Sequence, residues 1–400
     1  MTPVPPEDTT TEDVATEIDP STPMHPHATP ALADAVRERP VAQVPGPVAW
    51  LRANLFNSWW SSAVTILLLY FIVRWVASFV GWAFVDAVWS VPVGPNGPDA
   101  TVCRQAGAGA CWAVIGDKYR LILFGRYPYL AQWRPAIVTL LFVGLYGISV
   151  WRRFWRWELA LIWLGTLAVC GVLMWGGVLG LGYVPQEQWG GLPITLMLAT
   201  FGLALAFPLA VVVALGRRSN DMPAVRLLCV VYVELIRGVP LISLLFMASV
   251  LFPLFMPVGL NPDKLLRAQV AIILFAGAYL AEVVRGGLQA LPRGQYEAAD
   301  ALGLSYWRKM GLVILPQALR LVIPPLVNTF SSFFKDTSLV LIIGIFDLLT
   351  SGKVAMADPR WQGHSTEIYL VLALIYFAFC YAMSRYSQGL EREFGHTRRR

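Results

Sequence analysis

Charge is scarce in this sequence. Asp, Glu, Lys and Arg supply 14% of its 400 residues, where soluble domains carry roughly 25%, and that shortage excludes an ordinary water-soluble fold. Histidine is scarcer, at four residues, and His-Glu-x-x-His is missing, so a zinc site of the metalloprotease kind is excluded. His25 and His27 fall in the Pro-rich stretch MHPHATP, and two His in such a tail are weak ground for a metal. The five cysteines include no Cys-x-x-Cys. No Gly-x-Ser-x-Gly occurs, and the Gly352-Lys353 pair is followed by Val and lacks the upstream glycine of a phosphate-binding loop. Carboxylates are nearly absent from the apolar runs, which leaves little for a proton relay. The chain is expected to catalyse nothing and to hold no metal or cofactor of its own.

Apolar residues are abundant, at 56%. Crossing about 30 Å of hydrocarbon takes about 20 of them in a row. Eight runs qualify: 61–85, 135–151, 159–182, 191–215, 239–257, 268–286, 317–334 and 366–386. The fifth helix could begin as early as Pro223, and the seventh run contains Pro324 and Pro325. The expected fold is an all-α polytopic membrane protein. Short loops set its orientation through Lys and Arg. WRRFWRW (151–157), GRRSND (216–221), Arg293, Arg308, Lys309 and the terminal RRR (398–400) are basic, whereas 183–190 has no basic residue. Both termini and the 292–316 segment are therefore expected on the cytoplasmic side. Basic residues at span ends, rather than along one face of a soluble fold, argue for a bilayer and against nucleic acid.

Residues 1–49 are rich in Pro and Thr, and 1–39 carry eight acidic against two basic residues, the composition of a disordered cytoplasmic tail. Residues 50–190 hold three spans and a large outer loop, 86–134. Residues 191–390 hold five spans, and 391–400 form a basic cytoplasmic end. Cys103 and Cys111 fall in the outer loop, where an oxidising envelope would let a disulfide persist. Cys170, Cys229 and Cys380 sit in apolar runs as small buried residues. No internal repeat is evident, which weakens an inverted-repeat secondary carrier.

Between the sixth and seventh runs stands EAADALGLSYWRKMGLVILP (297–316). QYEAADAL favours a helix, Gly303 allows the left-handed turn that ends it, Ser305 is placed to cap a second short helix, and Pro316 would limit that helix. A plain connector needs only a few residues. Glu297-Ala298-Ala299, Gly303 and Val313-Ile314-Leu315-Pro316 resemble the EAA loop of bacterial ABC importer permeases, although the family pattern has Ile where Val313 stands. YVELIRGVP (232–240), AYLAE…R (278–285) and KDTSL (335–339) resemble the polar amino-acid subfamily, the histidine/glutamine/arginine type, over about 191–390. NSWWSS, GACW and FGRYP, with the three extra spans, resemble the larger, M-type permease subunit of the general L-amino acid transporter.

The resemblance implies a five-helix type I importer core that carries L-amino acids by alternating access. Glu297, Ala298, Ala299, Gly303, Leu315 and Pro316 would then form the coupling element, docked on an ATPase subunit that holds the ATP and Mg. It also implies a homologous second permease subunit and a periplasmic amino-acid-binding protein.

Other polar positions keep two readings each. Lys335, Asp336, Thr337 and Ser338 interrupt an apolar stretch and should face a cavity or the bundle interior rather than lipid, as a substrate pathway would. Glu234 and Arg237 read equally as an ion pair at a span end or as partners for a zwitterion near a broken helix. Glu282 and Arg285 read as structural. Arg74, mid-span, faces protein, pairs or snorkels. The competing classes are an ATP-independent channel or ion-coupled carrier, which would need intramembrane ion ligands but no docking loop, and a scaffold, which would need no polar cluster.

Overall fold

Within hydrocarbon a backbone N–H has no water to bond, so a long apolar run closes its own hydrogen bonds as a helix. The computed structural model describes residues 46–95, 97–219, 221–257, 259 and 262–397. The expected tail up to residue 45 and the terminal RRR (398–400) lie outside the described residues. In chain order the helices are α1 (Pro47–Asn54), α2 (Trp59–Val80), α3 (Ala113–Phe124), α4 (Trp133–Val150), α5 (Trp157–Trp175), α6 (Gly191–Gly216), α7 (Pro223–Gly238), α8 (Leu241–Phe246), α9 (Lys264–Gln289), α10 (Arg293–Ala301), α11 (Leu315–Asp336), α12 (Leu348–Met356) and α13 (Ser365–Thr397). The strands among the described residues are a small hairpin, β1 (Val93–Gly94) with β2 (Gly97–Pro98), and the two-residue β3 (Phe346–Asp347), which bridges Gly190 and Gly191.

Seven helical stretches are long and apolar enough to cross a membrane, and an eighth counts if α7 and the 241–254 stretch make one bent span. The helical arm 241–254 falls within the fifth run, 239–257, and the bend corrects the reading that one continuous helix begins as early as Pro223. The two arms meet at 103°, because Val239 precedes a proline and is extended, with φ −109° and ψ 134°. Pro240 has no N–H with which to continue the ladder. The expectation that Pro316 limits a short helix is also corrected, since helix runs from Tyr306 to Ile343. A π turn over Lys309–Ile314 widens the bonding just before Pro316 and relieves the clash of its ring with the preceding turn.

Two units are distinguished among the described residues, one ending at Val76 and the other beginning at Ala77. In the first, Ser61 and Thr65 each donate a hydroxyl to the Leu55 carbonyl at 3.0 Å, tying α2 back to the end of α1. No residue of α2 is buried, and Arg74 is exposed on it.

In the second unit α6 and α9 lie side by side at the centre, with Ala206, Ala210, Ala268, Ala271, Ala276 and Ala281 buried. Small residues let two such helices approach closely. A Cβ at Gly287 of α9 would collide with Val322 and stand 2.9 Å from the Ala318 carbonyl of α11.

The 86–134 loop is folded and is stitched to the 345–364 segment. The Trp361 indole donates to Asp117 at 2.7 Å, Lys118 pairs with Asp358 at 2.7 Å, and Arg104 donates to the Arg360 carbonyl at 3.1 Å. Cys103 and Cys111 are disulfide-bonded, with Cα atoms 5.6 Å apart. Gly125 (φ +60°) ends α3 and Gly191 (φ +71°) opens α6. A Cβ on Gly125 would stand 2.6 Å from the Gly190 Cα, and one on Gly191 would collide with the Leu123 carbonyl. Glycine is thus required at this junction by both conformation and space. Together α3, the hairpin, α12 and residues 357–364 make a cap over one end of the bundle.

Candidate functional site

At the opposite end from the cap lies the segment from Pro292 to Pro316. Helix α10 stops where Gly303 turns left-handed at φ +68°, with Gly303 N–H donating to the Asp300 carbonyl at 2.9 Å and Leu304 N–H to Ala299 at 3.2 Å. A Cβ at Gly303 would meet nothing within 4 Å, so conformation rather than crowding selects glycine there. Ser305 occupies the cap position of the next turn, but its side chain makes no capping bond. Lys309 instead closes the loop on Asp300 at 2.6 Å.

The segment has an inward and an outward side. Met310 and Ile314 are buried in one apolar cluster with Ala214 and Leu215 of α6, Val284 and Leu288 of α9, and Ala318 of α11. Arg218 bonds the Leu288 carbonyl at 3.0 Å and the Tyr296 hydroxyl at 2.7 Å, which clasps α10 to α9. Facing out are Glu297, Ala298, Gly303 and Pro316, with Leu302 79% and Trp307 72% exposed. The six positions singled out from the sequence therefore divide. Ala299 is buried and Leu315 half-buried, anchoring the segment, while the other four present a surface. Leu302 and Trp307, with exposed Tyr306 and Leu312, extend that surface and were not singled out beforehand. Large apolar residues within a polar segment were the available signal.

Beside this segment is a cluster of ions. Glu234 and Arg237 do not pair with each other but reach other elements. Glu234 meets Arg217 at 3.1 Å, and Arg237 approaches Glu282 at 3.8 Å and lies over the Tyr279 ring. Glu282 also binds Arg217 at 2.7 Å and is paired with Arg285. The ends of α6, α7 and α9 are thereby joined through two carboxylates and three guanidinium groups. Arg217 was legible only as a positive charge in a short loop, because its partners lie 17 and 65 residues away.

The 335–338 positions lie where α11 tightens into a 3-10 turn, Thr337–Ile343. Lys335 is exposed, Asp336 and Ser338 are half-buried, and buried Thr337 donates to the Phe334 carbonyl at 2.8 Å. No ion pair joins Lys335 to Asp336 among the described residues. Nearby chemistry centres on Asp347, which is fully buried and accepts from Leu349 N–H at 3.1 Å and Thr350 N–H at 2.9 Å as the cap of α12. Burial pushes its carboxyl up, and the bonds from Thr350, Leu349 and Tyr376 pull it back. Asp347 is not among the positions singled out from the sequence, although an Asp directly before LLTSGK is a helix-start signal.

A family model described as a binding-protein-dependent transport system inner membrane component matches residues 206–395. The chain is 49% identical over 354 residues to the inner membrane amino-acid ABC transporter permease protein YhdY of Escherichia coli (strain K12), covering 87% of this chain and 93% of that protein. It is 38% identical over 425 residues to the glutamate/glutamine/aspartate/asparagine transport system permease protein BztC of Rhodobacter capsulatus, covering 90% and 96% respectively. Among solved structures, a chain from a crystal structure of an amino acid ABC transporter with histidines is 30% identical, covers 51% of this chain and 92% of its own, and superposes with a TM-score of 0.45.

Proposed function

Because the chain belongs to the binding-protein-dependent ABC permeases of the amino-acid type, we propose that residues 292–316 are the element through which an ATPase subunit drives it. It is the membrane-spanning subunit of an ATP-driven importer of amino acids and lies in the inner membrane as a multi-pass protein. Permeases of this family work with ATPase and substrate-binding subunits. ATP and its Mg would be held by the ATPase, and a second, homologous permease subunit would complete the pore. The 292–316 face and both termini would be cytoplasmic, and the cap would face the binding protein.

One observation carries the docking assignment. The segment shows Glu297, Ala298, Leu302 and Trp307 outward, while Met310 and Ile314 fasten it into the ends of α6, α9 and α11. A partner that seats on the outward side cannot move the segment alone, because close-packed side chains transmit displacement. Motion there reaches three core helices at once, which is what alternating access between two bundle arrangements requires. The 335–338 cluster, near the cap end of the same α11, is our candidate for the substrate pathway.

The test is co-purification. Tagged full-length chain in mild detergent should bring an ATPase with it, and Glu297→Lys or Trp307→Ala should reduce that association with membrane levels unchanged. Undiminished association in both variants would remove the docking assignment.

A further inference from the structure

Four arginines and no carboxylate line a cavity of about 370 Å³ where the end of α6 meets α7 and α9. They are Arg217, Arg218, Arg226 and Arg285, accompanied by Val230 and Gln289. Arg217 and Arg285 are committed to Glu234 and Glu282. Among the described residues Arg218 is held only by neutral oxygens, those of Leu288 and Tyr296. Arg226 is exposed and has no ion pair among the described residues. Counting Arg237, five guanidinium groups surround two carboxylates here, and the uncompensated charge faces the cavity.

Next to this charge, α7 turns an uncovered apolar side outward. Leu227, Leu228 and Val231 are 63%, 69% and 49% exposed, one or two positions along the helix from the cavity-lining Arg226 and Val230. A cationic hollow at the mouth of an exposed apolar lane matches two parts of one molecule, a phosphate and the hydrocarbon chain attached to it. Basic hollows between helices at a cytoplasmic membrane surface bind anionic headgroups in this way.

We propose that the cleft holds the phosphate headgroup of an anionic phospholipid, with its acyl chains along Leu227, Leu228 and Val231. The leaflet is the cytoplasmic one, a detail that rests on the orientation given under the proposed function. An acidic loop of a soluble partner would satisfy the arginines but has no use for the apolar lane, so the lipid is the better match. The cleft shares Arg218 and Gln289 with a neighbouring hollow of about 390 Å³ lined by Arg293, Tyr296 and Glu297. A bound headgroup would therefore press on the Arg218–Tyr296 clasp that sets the position of α10.

The full-length chain, purified from membranes containing phosphatidylglycerol and phosphatidylethanolamine, is analysed by native mass spectrometry for retained lipid. Wild type should retain phosphatidylglycerol preferentially, and Arg226→Gln should lower that retention about five-fold, as expected for removing one interfacial cation. Arg226→Lys should restore most of it. The variant site is exposed and has no ion pair among the described residues, so the fold survives. Equal retention by Arg226→Gln and wild type overturns the proposal. Stabilisation of wild type by inorganic phosphate, without lipid preference, overturns it in favour of a free anion. Loss of ATPase association with lipid retention unchanged overturns it in favour of an acidic protein surface. Lipid retention is read on the permease alone, so failure of the docking assignment leaves this measurement intact.

Discussion

The Arg217 guanidinium lies 2.7 Å from the Glu282 carboxylate and pins the residue just past α6 to α9. Glu282 is the hub, since Arg285 and Arg237 also converge on it. Removing its charge leaves half-buried Arg217 and Arg285, and exposed Arg237, without their common partner. Glu282→Gln should lower stability by about 1–3 kcal/mol, the range for stranding such groups. Glu234→Gln should cost about 0–1 kcal/mol, because the Glu234 side chain is 63% exposed. Thermal unfolding of the two variants in one detergent makes the comparison, and equal shifts would deny Glu282 its central place.

Gly303 offers a conformational test of the proposed docking segment. Open space surrounds its missing Cβ, and only φ +68° demands glycine. Gly303→Val should therefore carry strain of about 1–3 kcal/mol and uncouple ATP hydrolysis from uptake. Gly303→Asn, which tolerates the left-handed region, should behave closer to wild type. If both lose transport equally, side-chain size rather than backbone conformation governs the turn.

Lys335 and Asp336 adjoin in sequence, and the Lys335 charge acts on the Asp336 carboxylate, so their effects should be coupled. Each alanine variant should reduce amino-acid uptake more than it reduces ATPase association, and the double variant should depart from the sum of the two. Wild-type uptake in both single variants would leave the two side chains a purely structural part in α11.

Asp358 supplies a pH dependence at the cap. Its hydrogen bonds from Arg360, and then from Lys118, hold its carboxyl well below the usual carboxylate range. The ordinary, unfolded value is about 3.9. The stabilisation is thus fully present above that value and is lost as pH falls through the lower folded one. Asp358→Asn should reduce the melting temperature by a constant margin from pH 7 down to about pH 4, with the margin shrinking below it. A margin that widened on acidification would reverse the sign of this argument.

The disulfide can be tested chemically. Peptides of protein isolated from its envelope without reductant should contain Cys103 joined to Cys111. Reduction should cost about 2–3 kcal/mol for so short a loop. Free thiols at both positions would show that the cap holds together by its polar contacts.

The transmembrane plan was legible because it depends on composition in a local window, as with the run read at 191–215 and observed as Gly191–Gly216. Gly303 was legible because a helix end leaves a local signature. Pro240 and Pro316 show where local reading stops. Both are prolines in apolar surroundings, yet one bends the chain by 103° and the other is absorbed by a π turn. That outcome depends on what packs around each. The ion cluster and the cap are built from residues far apart in sequence, such as Asp117 and Trp361 at a separation of 244. No spacing rule could have joined them.

At the junction of Gly125 with Gly190 and Gly191 two backbones touch with no side chain between them. A contact of that kind has no lubricating layer, so α3 cannot slide over the start of α6. The roof of the bundle is therefore a passenger on its first core helix. If α6 tilts during a transport cycle, the roof tilts with it, and a protein docked there as proposed would be told the state of the machinery below.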